Sequence, residues 1–96
     1  MYAKVRSFRA HSGWLDERVK HSIDVALPFA SQLPGYKGAL ILANHETNRT
    51  VAVVLWETEA DMLAAERNEE YQRLMPQHQF AAGEVHTEYF EVAHQE

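Results

Sequence analysis

The sequence has 96 residues, which is room for one domain of ordinary size. Hydrophobic residues make up 46% and charged residues 24%, a mix typical of a globular chain rather than a disordered one. The lack of cysteine excludes disulfides, thiolate nucleophiles and cysteine metal sites, and it fits a reducing cytoplasm. A formal net charge of -5 disfavours nucleic acid as a partner. No apolar run approaches the roughly 18 residues of a membrane span, so we predict a cytoplasmic protein without a membrane partner.

The first third of the chain predicts a strand followed by a helix. Residues 2–10 alternate in period two, with Ala3, Val5 and Ser7 on one face and the larger Lys4, Arg6 and Phe8 on the other. After Gly13 the apolar spacing becomes three or four, which predicts a helix packed on one side. Its expected buried stripe is Leu15, Val19, Ile23, Ala26 and Ala30. Pro28 predicts a kink, and the helix is expected to end before residues 33–35.

The rest of the chain predicts a hairpin, a second helix and a last strand. Residues 36–45 and 50–56 are apolar on both faces, and the polar residues 46–49 between them favour a turn. Thr58 and Asp61 resemble a capping box that begins the second helix. Asn68 is expected to interrupt and recap that helix, which then continues to Pro76. Residues 85–93 predict the closing strand.

The element order β-α-β-β-α-β predicts an α+β fold of the ferredoxin-like kind. It has one four-stranded antiparallel sheet with both helices on one face, in a single domain spanning residues 1–96. The hairpin strands are apolar on the other face too, and a monomer would leave that face uncovered. We therefore predict a homodimer packed sheet to sheet about a two-fold axis; a monomer with an open apolar face is the alternative.

Two local motifs and the topology carry a family resemblance. The stretch LPGYKG at residues 33–38 ends a helix and begins a strand, and LWETEAD at residues 55–61 ends a strand and caps a helix. Together they resemble the antibiotic biosynthesis monooxygenase-like group of the dimeric α+β barrel superfamily, over residues 2–92. The resemblance implies two subunits forming one barrel. It also implies a range of activities, because the superfamily includes cofactor-independent oxygenases of quinols, haem-degrading oxygenases, isomerases and chains of no known activity.

The haem-degrading branch of that superfamily has a residue pattern that this chain lacks. The branch needs an Asn late in the first strand, a Trp in the second helix and a His further along to ligate iron. These positions fall at Ser7, Ala65 and Met75. His78 lies one turn beyond Met75, but Pro76 intervenes. Haem degradation by this route is therefore not expected, and the sequence predicts no cofactor.

The candidate site residues are few. The six histidines form no i, i+4 helical pair and no alternate-residue strand pair, so no metal site is predicted. Trp56 and Tyr71 carry polar groups on large rings suited to line a pocket. Both are also suited to fill the core, which is the interpretation that we favour for Trp56. We predict Ser7, Trp56, Tyr71 and His78 as ligand-binding residues, with Tyr71 and His78 as the catalytic candidates. Their pocket is expected inside each subunit, between the second helix and the small residues of the first strand.

Two functions fit these predictions. The first is a cofactor-independent monooxygenase acting on a small aromatic or quinol-like metabolite, for which a dry cavity and one or two hydrogen-bond donors suffice. The second is a non-catalytic dimer that binds a small ligand or serves in a stress response. A cavity of several hundred cubic ångström would favour a substrate or ligand site, and a filled core would favour a structural role.

Overall fold

Four strands form one antiparallel sheet in the order β2-β3-β1-β4, with the helices on one face. The computed structural model describes residues 1–75 and 81–96. The strands are β1 (Tyr2–Arg9), β2 (Tyr36–Asn44), β3 (Arg49–Trp56) and β4 (His86–Glu91). The helical segments are α1 (Leu15–His21), a π-helical segment (Ser22–Ala26), α2 (Leu27–Ala30), α3 (Glu59–Glu66) and α4 (Glu69–Leu74). This confirms the predicted ferredoxin-like βαββαβ order.

The predicted hairpin of β2 and β3 is confirmed, with Leu42 opposite Val51. Its turn begins with an Asn44 side chain that accepts hydrogen bonds from the backbone N–H groups of Glu46 and Thr47, at 3.0 and 3.2 Å. Asn48 adopts a positive φ of 61°, which asparagine tolerates better than most residues. Local turn chemistry thus doubles the chain back at the expected place.

The helical layer after β1 differs from its prediction. The residues that turn inward are Leu15, Arg18, Ala26 and Ala30, whereas Ile23 is 53% exposed. A kink was expected at Pro28, and the structure has a π-helical segment just before that residue. Pro28 has no N–H to donate, and it is tolerated in the first turn of α2, where a backbone donor has no helical partner.

Both caps predicted for the second helical layer are confirmed. The Thr58 side chain accepts a hydrogen bond from the Asp61 backbone N–H at 3.1 Å, and Asn68 does the same for Tyr71 at 2.9 Å. The asparagine cap divides the layer into α3 and α4 because it ends one helix and begins the next. The predicted stop at Pro76 lies outside the described residues, although α4 itself ends at Leu74.

The face of β1 that meets the helices is the opposite of the one predicted. Lys4, Arg6 and Phe8 point toward the helices, where Lys4 and Phe8 are buried. Because side chains alternate along a strand, Val5 and Ser7 lie on the other face. The prediction is wrong because long cationic side chains can bury their aliphatic stems where their charged ends find partners.

The core lies between the sheet and the helices and is centred on Trp56, which is 1% exposed. The Trp56 ring meets Tyr36 edge-on, with ring centroids 5.9 Å apart. Tyr71 stacks on Phe29 at 6.3 Å, which ties α4 to α2. Aromatic pairs of this kind add about 0.5–1.5 kcal/mol beyond the area that they bury.

The sheet face away from the helices is apolar and uncovered in one chain. We call it the open face and define it by Leu40, Leu42, Val51, Val53, Leu55 and Phe90. Leu40 is 57% exposed and Leu42 is 52% exposed. Within residues 1–75 and 81–96, no helix has the length and apolar character needed to cross a membrane.

Candidate functional site

A cavity lies between the helical layer and the sheet. The volume of this cavity is about 40 Å³. This volume holds a few water molecules. It is much smaller than the several hundred cubic ångström that would favour a substrate or ligand site. Most of its lining is apolar. The described lining residues come from three strands of the sheet and from the helical layer, up to Met75 just after α4: Lys4, Arg6, Phe8, Arg18, Ser22, Ala26, Leu27, Ile41, Thr50, Ala52, Val54, Tyr71 and Met75.

The sheet side of the cavity is positively charged. Lys4 is buried and forms an ion pair with Glu66 of α3. Its ammonium also contacts the Met75 sulfur at 3.6 Å, and Arg6 Nη1 lies 4.0 Å from the same sulfur. Burial lowers the pKa of Lys4, and the attraction of Glu66 offsets only part of that effect. Burial likewise lowers the pKa of Arg6, again against the pull of Glu66.

Glu66 connects this charged wall to the sheet edge. Besides the ion pair with Lys4, it accepts a hydrogen bond from Tyr89 Oη of β4 at 3.1 Å. The Glu66 side chain keeps 24% of its surface exposed, so it meets water on one side and the cavity wall on the other. A carboxylate in this position offsets the desolvation cost of burying the Lys4 ammonium, which would be high for an unpaired charge.

The helical side of the cavity contains the π-helical segment. Ser22 and Ala26 line the cavity from this segment, and Arg18 lines it from the preceding turn. His21 Nε2 donates a hydrogen bond to the Leu74 carbonyl at 2.6 Å, which joins this layer to α4. π-helical turns are frequent at functional sites, because the wider turn re-aims the side chains around it.

Tyr71 is the aromatic residue of the cavity lining that carries a hydroxyl group. It is 3% exposed, and burial raises its pKa to about 12, with Glu66 adding to the effect. The phenol therefore keeps its proton at neutral pH. In this environment Tyr71 is suited to donate a hydrogen bond to a ligand oxygen and unsuited to act as a base.

The raised pKa of Tyr71 predicts a pH-dependent loss of stability. The ordinary tyrosine pKa is 10.0, so between pH 10 and 12 the unfolded chain loses this proton while the folded chain keeps it. The stability contribution of Tyr71 is complete below pH 10 and disappears toward pH 12, by roughly 2 kcal/mol. Urea unfolding at pH 10.0 and 11.5 should show a larger loss for the wild type than for Tyr71→Phe. Equal losses in the two proteins would contradict the raised pKa.

The structure separates the four predicted ligand-binding residues. Tyr71 lines the cavity, and its part in binding stays a prediction. Trp56 fills the core and does not line the cavity. Ser7 lies on the other face of the sheet, where it accepts a hydrogen bond from Arg49 at 2.7 Å, so the expectation that it borders the cavity is wrong. His78 lies outside the described residues.

Sequence reasoning missed the cations Lys4, Arg6 and Arg18. The alternation of β1 was visible, but its small side chains were expected to face the helices, and Arg18 lies outside the expected apolar stripe. Ala52 and Val54 face Arg6 and Lys4 across the β1–β3 ladder, but β3 is apolar on both faces. The sequence therefore held no signal for which face of β1 meets the helices.

In the part of the chain that the structure describes, no cluster of three or more His, Asp or Glu side chains is arranged to hold a metal ion. Apart from the Glu66 carboxylate beside Lys4, the described site offers cations, apolar walls, a thioether, a phenol and the hydroxyl groups of Ser22 and Thr50. Such an arrangement can bind and orient a small aromatic molecule, exclude water from it and stabilise negative charge on it.

Comparison with known proteins places the chain by its fold. No family model matches the sequence, and no curated protein matches it. Among solved structures, SnoaB from Streptomyces nogalater, described as a cofactor-independent oxygenase, is 17% identical with a TM-score of 0.77, covering 98% of this chain and 94% of that one. The haem degrader MhuD from Mycobacterium tuberculosis is 19% identical with a TM-score of 0.76, covering 99% of this chain and 98% of that one.

A third solved structure also matches this chain over nearly its whole length. It comes from Nitrosomonas europaea, carries the provisional name antibiotic biosynthesis monooxygenase, and is 12% identical with a TM-score of 0.78. The match covers 98% of this chain and 100% of that one. Identities this low relate folds and leave the chemistry of each site to be argued separately. The chain therefore has the fold of the antibiotic biosynthesis monooxygenases.

Proposed function

We propose that this protein is a small monooxygenase that oxidises an aromatic, quinol-like molecule with dioxygen and without a cofactor. The observation that carries the proposal is the cavity between sheet and helices, which combines apolar walls with the buried donor Tyr71. The similarity in fold to a cofactor-independent oxygenase supports it. We assign the site to each chain on its own, because the cavity lies between the helical layer and the sheet of a single chain.

The reaction places simple demands on such a site. A hydroxyanthrone loses a proton from its central carbon, and the resulting negative charge spreads onto its ring oxygen. Dioxygen then oxidises that carbon: one oxygen atom becomes the new carbonyl, the other leaves as water with the two hydrogens of the carbon, and the product is the quinone. Walls such as Leu27, Ile41 and Val54 would keep water from the carbanion, and Tyr71 would donate to the ring oxygen.

The size of the cavity bears on how a substrate enters. A space of about 40 Å³ is too small for an aromatic ring, so binding requires the helical layer to move outward. The π-helical segment, where Ser22 and Ala26 line the cavity, is the part of that layer whose backbone hydrogen bonding is already irregular. His78, the second catalytic candidate, stays a prediction.

The second candidate function is a non-catalytic dimer that binds a small ligand or acts in a stress response. By the criterion given above, the small volume favours the structural role within it. A binder needs the cavity walls and donors but no route for dioxygen and no proton acceptor. The two candidates differ in one measurable respect, which is turnover in air.

Assembly and location belong to the same proposal. We propose a homodimer in which the open face of one chain packs on that of a second, since exposed apolar sheet faces of this kind mark interaction surfaces. The cytoplasmic location predicted from the lack of cysteine stays a prediction.

The proposal is tested with 1,8-dihydroxyanthrone in air-saturated buffer without added metal or cofactor. We expect the quinone to form at a rate proportional to protein concentration and above the spontaneous oxidation in buffer, with one dioxygen consumed per quinone. Absorbance and an oxygen electrode measure the two quantities. A rate equal to that of buffer, together with saturable binding of the anthrone, would replace the oxygenase by the binder.

A further inference from the structure

We infer that the cavity selects its aromatic ligand as an oxyanion, a carboxylate or phenolate, through the guanidinium groups of Arg6 and Arg18. The inference depends on the proposed function only in taking this cavity as the ligand site. It concerns the charge of the ligand, which neither the fold nor the apolar walls determine.

The first argument is the charge of the lining. Three of the described lining residues, Lys4, Arg6 and Arg18, are cationic and none is acidic. Glu66 forms its ion pair with Lys4, from outside the lining. Glu66 compensates the charge of Lys4, and the two arginines add positive charge to a largely apolar cavity, where the low dielectric of the interior strengthens their attraction for an anion. An anion is favoured in such a space over a neutral molecule of the same shape.

The second argument is the placement of the two arginines. Arg6 enters from the centre of the sheet on β1, and Arg18, which is 9% exposed, enters from α1 on the helical side. The cavity thus has an arginine on each of its two opposing layers. Each guanidinium carries five N–H donors in a planar fork, so each can keep its contacts within the protein and still donate to a ligand.

The third argument concerns what surrounds the guanidinium groups. Phe8, Leu27 and Ile41 supply flat or aliphatic surface beside them, which suits an aromatic ring. Ala52 lies opposite Arg6 on the neighbouring strand and contributes only a methyl group to the lining there. The ligand that fits this distribution has an apolar ring and one oxyanion.

The inference is tested with benzoate and benzamide, a pair of the same shape that differs in charge. We expect benzoate to bind about tenfold more tightly or better at low salt, because only the carboxylate makes charge-assisted hydrogen bonds. Binding is followed by NMR through the amide signals of Ala26, Thr50 and Ala52, which line the cavity. The preference should shrink as salt is added, though less than for an exposed site.

Two variants and a control assign the preference to the cavity. Arg6→Gln and Arg18→Gln should each reduce the preference for benzoate to about twofold. Arg49→Gln removes the same charge from an exposed arginine beside Ser7 on the other face, and it should leave the preference unchanged. Equal binding of the two probes, no binding of either, or an equal effect of Arg49→Gln would overturn the inference. Oxidation of the anthrone is a separate readout, so the oxygenase proposal can stand or fall independently.

Discussion

Replacing Gly35 with alanine is expected to destabilise the fold by about 2–4 kcal/mol, from backbone strain and overpacking together. Gly35 has a φ of +82°, and a Cβ added there would lie 2.6 Å from the Cβ of Asp61. Asp61 cannot yield easily, because its backbone N–H is held by the Thr58 cap. Gly35 also accepts a hydrogen bond from the Glu57 N–H at 2.7 Å. The two sequence motifs at residues 33–38 and 55–61 therefore pack directly on each other.

Gly13 provides the matched control for this substitution. Its φ of +84° is nearly the same, but a Cβ there would meet nothing within 4 Å. Gly13→Ala should therefore cost only the backbone term, about 1 kcal/mol. Urea unfolding of the wild type and both variants measures the difference. Equal destabilisation by the two substitutions would show that the contact between Gly35 and Asp61 contributes nothing.

Replacing Leu42 with aspartate is expected to dissociate the proposed homodimer while leaving the chain folded. Leu42 lies on the open face and is 52% exposed, so in a single chain the carboxylate meets water. In a dimer the same carboxylate would be buried without a partner, which costs several kcal/mol. Sedimentation equilibrium at micromolar concentration should give twice the 11.0 kDa chain mass for the wild type and the chain mass for Leu42→Asp.

Ile23 controls for surface charge in this experiment. It is 53% exposed on the outer side of the helical layer, so Ile23→Asp introduces the same change away from the open face. This variant should remain dimeric. A wild type that sediments as a single chain, or a Leu42→Asp variant that stays dimeric, would contradict packing through the open face.

Sequence reasoning succeeded where structure is decided locally. The Thr58 and Asn68 caps, the hairpin between β2 and β3, and the order of the elements were all predicted. Each depends on contacts between residues close in sequence, such as a side chain accepting from a backbone N–H three positions later. These features together determine the ferredoxin-like topology, because few arrangements of β-α-β-β-α-β satisfy the rules of connection.

The site was harder to predict because its contacts are distant in sequence. The alternation of β1 shows that Lys4 and Ser7 lie on opposite faces, but it does not show which face meets the helices. The face with Lys4 can pack against the helices because Glu66 of α3 forms an ion pair with Lys4. Arg18 is buried because it lies one turn after Leu15, on the face of α1 that turns inward. Tyr71 was identified because it carries a polar group on a large ring within the second helix.

The measurement that tests the account most directly is the initial rate of anthrone oxidation in a variant whose cavity is filled. Ala52→Leu places a larger side chain in the cavity lining, and Ala64→Leu makes the same change on the exposed face of α3. With both variants folded by circular dichroism, we expect Ala52→Leu to lose about tenfold or more of the rate, and Ala64→Leu to keep the wild-type rate within about twofold. An Ala52→Leu variant as active as the wild type would contradict the claim that the chemistry takes place between the helices and the sheet.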